Sequence, residues 1–142
     1  MKKILRHLLL ATLCFLCVVS FASCSGGINK DEAKTFINDF FDAISAGDYD
    51  KAETFLHPER PADLETFLLD IEQKDNIDFQ SGIKVDRYTG FSSSFYDSTV
   101  DGSTYELTMT TTVGEKQAKF TVEIVKNDNG YGIYNLYINV QK

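Results

Sequence analysis

The chain has 142 residues, 14 Lys+Arg against 21 Asp+Glu, a net charge of −7, and 43% hydrophobic residues. That length suits one domain around one core. The acidic balance excludes partners that demand a basic surface, namely nucleic acid and anionic lipid headgroups.

The first 23 residues read as a processing segment. Lys2, Lys3 and Arg6 form a positive start, and Leu8 to Val19 is a mostly apolar run, too short for a spanning helix of about 20 residues. Phe21-Ala22-Ser23-Cys24 follows and resembles the lipobox of bacterial lipoproteins. The resemblance implies cleavage before Cys24 and a diacylglyceryl group on its sulfur, although Phe21 departs from the usual aliphatic residue. An ordinary cleaved signal peptide and an uncleaved anchor are the rival readings. Two acyl chains, at about 0.8 kcal/mol per buried methylene, hold a protein firmly on a membrane where one does not. Cleavage removes Cys14, Cys17 and three basic residues but no acidic one, leaving 11 basic against 21 acidic residues, net −10. Cys24 is then the sole cysteine, so no internal disulfide is available. Residues 24–28 form a short tether, and 29–142 the domain.

Asn29 to Glu59 reads as a long amphipathic helix, a break at Gly47-Asp48, and a shorter helix stopped by Pro58. Asn29 and Glu32 have capping-box spacing, with Ile28 and Ala33 around them as a staple. Ala33, Phe36, Ile37, Phe40, Phe41 and Ile44 recur every three or four residues and form one apolar stripe. Gly47 stands where a left-handed C′ residue belongs. Asp48 can cap the second helix, whose inner face would be Tyr49, Ala52, Phe55 and Leu56. A third helix, with Pro61 near its first turn, presents Leu64, Phe67, Leu68 and Ile71 and fades between Lys74 and Asp78.

Beyond Asp78 the period drops to two. Ile83 and Val85 mark a first strand towards Tyr88, and Phe91 to Tyr96 an irregular second one. Tyr105, Leu107, Met109, Thr111 and Val113 share one parity, as do Ala118, Phe120, Val122 and Ile124 after a turn at Gly114-Glu115. Asn127-Asp128-Asn129-Gly130 is a hairpin turn. In the last strand the apolar parity slips between Ile133 and Leu136, which predicts a bulge near Tyr134-Asn135. Helices followed by an antiparallel meander make an α+β fold, with N-terminal helices packed on a curved sheet.

Phe40-Phe41-Asp42-Ala43-Ile44-Ser45-Ala46-Gly47-Asp48-Tyr49-Asp50-Lys51-Ala52 and the closing Tyr131-Gly132-Ile133-Tyr134 resemble the nuclear transport factor 2-like (cystatin-like) superfamily. With the lipobox, the chain is similar to small bacterial lipoproteins of that superfamily. The resemblance implies a cone-shaped domain, pairing of two copies through the sheet in some members, and either catalysis or ligand binding. Such a cone hosts isomerases, dehydratases and pure binding modules, so fold alone does not choose.

Residues weigh against catalysis. Where ketosteroid isomerases of the superfamily carry an oxyanion-stabilising Tyr, seven residues before the Gly of Gly-Asp, this chain has Phe40. The base position falls near Asp63 or Leu64. His57 is the only histidine after the leader, and beside Pro58 it reads as a group meeting helix-terminal carbonyls. Asp48 reads as a helix cap. Asp97-x-Thr99-x-Asp101-Gly102 looks like the start of a calcium loop, but its twelfth position is Thr108 rather than the required Glu, so a turn between strands is the plainer account. No Cys/His cluster suggests zinc, and no glycine loop suggests phosphate.

The expectation is therefore a lipid-anchored protein of the bacterial cell envelope, on the extracytoplasmic side. Its domain acts as a non-catalytic binding or interaction module without metal or cofactor. Partners would be the membrane, through Cys24, and a small apolar ligand or an envelope protein. Phe40, Phe67 and Met109 are the expected pocket walls. The alternative is a small-molecule enzyme of the cone type using His57 or a buried Asp. Thr108, Thr110, Thr112 and Thr121 form a mildly polar outer face, suited to solvent or to a homodimer through the sheet.

Overall fold

The computed structural model describes residues 27–60, 63–97 and 100–141, without the side chains of 95–97 and 100–101. Cys24, the leader, Pro61 and Thr99 lie outside the described residues. Three helices come first: α1 Lys30–Ser45, α2 Tyr49–Glu53 and α3 Leu64–Asp75. After a 3-10 turn at Phe79–Ser81 come β1 Ile83–Asp97, β2 Val100–Val113, β3 Lys116–Asn127 and β4 Gly130–Val140. The strands form one antiparallel meander in the order β1-β2-β3-β4. This is an α+β fold with an open sheet, as the change of period predicts.

Helix α1 begins and ends through side-chain and glycine chemistry visible in the sequence. Asn29 Oδ1 accepts from the backbone N–H groups of Asp31 and Glu32, both at 2.9 Å, while Glu32 accepts from Asn29 N–H at 3.3 Å. Those bonds satisfy donors that the first turn leaves unpaired. At the other end Gly47 takes φ +70°. Its N–H reaches Ile44 O and that of Asp48 reaches Ala43 O, the paired bonds of a Schellman motif. Asp48 then caps α2 by accepting from Lys51 N–H at 3.1 Å.

The apolar stripe of α1 lies on the sheet. Ala33, Ile37, Phe40, Phe41 and Ile44 are buried together with Leu107, Met109, Phe120, Val122 and Ile124 of the inner sheet face. Phe41 meets Phe120 edge-on, with ring centroids 5.3 Å apart. Burial of each large side chain contributes roughly 1.5–3 kcal/mol. Helix α3 adds Leu64 and Leu68, and the 3-10 turn adds Phe79. Asn76 ends α3 in the left-handed region, and Lys116 Nζ donates to Asp75 O at 2.7 Å, tying that end to the β2–β3 turn.

Three expectations need correction. Helix α2 stops at Glu53, well short of Pro58, because the next backbone pairs with the sheet. Ile133 N–H donates to Phe55 O at 2.8 Å and His57 N–H to Ile133 O at 2.9 Å, so Leu56 forms a parallel bridge with Ile133 on the free edge of β4. Only glycine permits this approach, since a Cβ at Gly132 would stand 2.5 Å from His57 N. Residues 83–97 are one strand rather than two: bulges at Asp86 and Thr89 interrupt the alternation without ending the pairing to β2. Helix α3 starts at Leu64 behind an Asp63 cap, so Pro61 precedes the helix. The bulge foreseen in β4 is present. Glu123 pairs with Asn135 and Ile124 with Ile133, leaving Tyr134 as the additional residue.

Candidate functional site

His57 is the centre of a hydrogen-bonded polar cluster at one end of the sheet. The bridge to Ile133 fixes its backbone, and its side chain turns towards the β3–β4 turn, where it is 2% exposed. Nδ1 accepts from Glu59 N–H at 3.2 Å, and Nε2 lies 3.0 Å from Asn127 Oδ1. An acceptor role at Nδ1 leaves the proton on Nε2, so the neutral Nε2–H tautomer satisfies both contacts. Glu59 Oε2 stands 3.8 Å from Nδ1, but the Nδ1 lone pair is already engaged. The Glu59 carboxylate instead accepts from Asn127 Nδ2 at 3.0 Å and Asn129 Nδ2 at 2.7 Å.

Asn127 joins the two halves of the cluster. Besides His57, its Oδ1 takes the N–H groups of Asn129 and Gly130, each at 3.0 Å. Neither Asp128 nor Asn129 has a positive φ, so the hairpin lacks the primed turn that two-residue loops favour. An Asx-type turn held by Asn127 takes its place. The bulge matters here as well: it places the Tyr134 ring edge-on to the His57 ring, 5.9 Å between centroids, as bulges that re-aim side chains do. His57, Glu59, Asn127 and Asn129 thus form a clasp that locks the segment after α2 to the end of the sheet. The helix-end role foreseen for His57 is replaced by this one.

Arg60 follows the clasp. Its Nε and Nη1 are buried without a hydrogen-bond partner, and its guanidinium lies 5.7 Å from the Phe67 ring centroid. Burial lowers its pKa from the ordinary value. A weakly hydrated, delocalised cation over an aromatic face tolerates such a position better than an ammonium would.

The other sequence-derived residues fall as follows. Phe40 and Met109 are fully buried in the core, whereas Phe67 is half-buried beneath Arg60. Asp63 is an exposed N-cap accepting from Thr66 N–H at 2.7 Å, and that bond holds its carboxyl below the usual range. Leu64 beside it is buried. Asp48 is a cap, as expected. Asp97 ends β1 and pairs with Val100, and Asp101 and Gly102 lie in β2, so the described part of the calcium-like stretch belongs to the two strands. Sequence reasoning missed Glu59, Asn127 and Asn129 as partners of His57; the Asn-rich hairpin was the available signal, read only as a turn.

A second aromatic group lies where α1 begins. Phe36 packs between Phe55 (5.2 Å) and Tyr131 (4.9 Å). Burial, with lesser contributions from Glu32 and Tyr105, raises the Tyr131 pKa well above its usual value.

Among the described residues no helix is long and apolar enough to cross a membrane, and no group of three or more His, Cys, Asp or Glu is placed to hold a metal ion. No protein-family model matches the chain, and no curated protein matches it.

Proposed function

We propose that the chain is a lipoprotein of the bacterial cell envelope, held on the extracytoplasmic side of a membrane through Cys24. Its nuclear transport factor 2-like cone is a binding or interaction module rather than an enzyme. The observation that carries the non-catalytic reading is the engagement of both ring nitrogens of His57 by Asn127 and Glu59 N–H. A general base needs a free lone pair within reach of a substrate proton, and the Nδ1 lone pair is occupied by the backbone. Phe40 has no hydroxyl to stabilise an oxyanion, and Asp48 and Asp63 are engaged as caps. Support for the anchor comes from the leader, from Cys24, and from the net −10 of the remaining chain, which leaves lipid rather than surface charge to attract a membrane.

The domain would sit close to the bilayer. The first cap is Asn29, and each intervening residue spans at most about 3.3–3.6 Å. An apolar ligand would first meet Phe67 and Arg60, because Phe40 and Met109 have no surface of their own. The test is fractionation of a Cys24→Ser variant followed by a thermal-shift screen of the released protein. Release from the membrane fraction is expected, and persistence there would refute the anchor. Stabilisation by an apolar metabolite or envelope fragment is expected, lost in Phe67→Ala. Turnover of a carbonyl substrate that disappears in His57→Gln would instead establish the enzyme.

A further inference from the structure

One stretch of β1 differs from its flanks in how it protects a free sheet edge. β1 ends the strand order, with β2 on one side only. Its first half carries two bulges and the charges of Lys84, Asp86 and Arg87, and α1 attends it: Ser45 Oγ accepts from Ile83 N–H and Asn38 Oδ1 from the Tyr88 hydroxyl. Bulges and charges are the usual guards against edge-to-edge association. Gly90–Ser94 lacks them, lying between those guards and a third register irregularity at Phe95/Asp97, where the charge of Asp97 also stands. From Gly90 to Ser94 the pairing to β2 runs in unbroken register, Gly90 with Thr108 through Ser94 with Thr104, and no residue there is charged or proline. Ser92, Ser93 and Ser94 are exposed. Among the described residues no backbone–backbone bond other than the ladder to β2 reaches this stretch.

The sequence of that unguarded stretch is a palindrome, Phe91-Ser92-Ser93-Ser94-Phe95. We infer that this edge pairs with the same edge of a second copy of this chain, antiparallel about a two-fold axis at Ser93. A two-fold pairing centred on Ser93 sets equivalent positions of the palindrome opposite one another. It sets Phe91 opposite the second copy's Phe95 and Ser92 opposite its Ser94, and it leaves no charge facing a like charge. Cross-strand hydroxyl pairs stabilise such a ladder, and an isologous contact closes as a dimer. The result is one eight-stranded sheet, distinct from two copies stacked through their threonine faces.

The entry of the chain suits this geometry. Ser93 is paired with Tyr105, and Gly27 lies against the Tyr105 hydroxyl, which would stand 2.7 Å from a Cβ there. A two-fold axis normal to the sheet keeps both helical layers on one side. With strands about 4.8 Å apart, the two Tyr105 residues stand about 15 Å from one another, so the two Gly27 residues lie near the axis on the same face. Two tethers in one membrane are therefore accommodated, although the pairing itself does not depend on the anchor. Confinement in a membrane plane would raise the effective concentration of so small a contact.

The test is cross-linking in membranes of cells making the full chain with Ser93→Cys, under mild oxidation, with the wild type setting the background from Cys14, Cys17 and Cys24. Residues on the axis lie within disulfide reach, so a linked species at twice the monomer mass is expected well above that background. Arg87→Cys would be separated from its mate by about 40 Å along the antiparallel strands, and Thr121→Cys lies two strands from the edge; neither should link. Adding Ser92→Lys and Ser94→Lys to Ser93→Cys sets like charges opposite one another and should reduce linking at least tenfold. Circular dichroism should report an unchanged fold, since both residues are exposed and only the Ser94 Oγ–Thr104 Oγ1 hydrogen bond is given up. A Ser93→Cys signal at background, equal linking at all three positions, or linking at Thr121→Cys alone would overturn the proposal.

Discussion

Two regions hold this domain together by different physics. The α1–sheet core is apolar, dense in aromatic contacts, and insensitive to the orientation of any single polar group. The clasp at the β3–β4 turn is the reverse, a set of hydrogen bonds in which His57 and Asn127 meet across 70 positions of sequence. Core packing tolerates rearrangement and is lost roughly in proportion to the area removed. A buried polar network is all or none, because removing one member leaves the rest desolvated and unpaired. The fold therefore has one end that should weaken gradually and one that should fail as a unit.

The largest effect is expected in the core. Phe41 is 1% exposed and edge-on to Phe120, so Phe41→Ala should destabilise by about 3–5 kcal/mol, read as a shift of the urea midpoint. Phe120→Ala should behave alike, and the double variant should fall short of the sum, since the two rings share one contact. Full additivity would mean that the two rings do not act through one another.

The clasp is expected to be smaller in magnitude and stronger in coupling. Asn127→Ala removes the acceptor of His57 and of two turn N–H groups, and the donor to Glu59; a loss of about 2–3 kcal/mol should follow. His57→Ala should cost a similar amount. Once either is gone the other has little left to hold, so the cycle should show an interaction energy of about 1–2 kcal/mol. Additive losses would show that the clasp is a set of independent bonds.

The same contrast decides what could be read without coordinates. The α1 stripe and its caps, the meander and the Tyr134 bulge all followed from periodicities of 3.6 and 2 and from local turn chemistry, because each depends on neighbours in sequence. The clasp was illegible because none of its partners is local: His57 next to Pro58 looks like a helix terminus, and nothing nearby announces Asn127. The same holds for Phe55 to His57, whose extended pairing depends on Ile133 and on the missing Cβ of Gly132. In β1 the bulges at Asp86 and Thr89 shift the parity twice, which makes one strand resemble two. Asn29, Gly47 and Asp48 succeeded for the opposite reason, since caps act within four residues.

Tyr131 stands between the two regions, one residue past the clasped turn and packed at a tilt against Phe36 of α1, and gives the smallest and most diagnostic effect. Burial raises its pKa above the unfolded value of 10.0, with the Glu32 charge and Tyr105 adding to the shift. A folded pKa above the unfolded one means that stability is complete below about pH 10 and is lost as pH rises beyond it. Tyr131→Phe should therefore leave stability at pH 7 nearly unchanged and flatten its decline in the alkaline limb. Since the residue is 37% exposed, solvent screening keeps the difference modest. Tyr88 shifts in the same direction, but its hydrogen bond to Asn38 opposes the effect of burial, so Tyr88→Phe should flatten the limb less. If Tyr88→Phe proved the more protective, the phenol shifted further by burial would lie on the β1 side of the core rather than at its junction with the clasp.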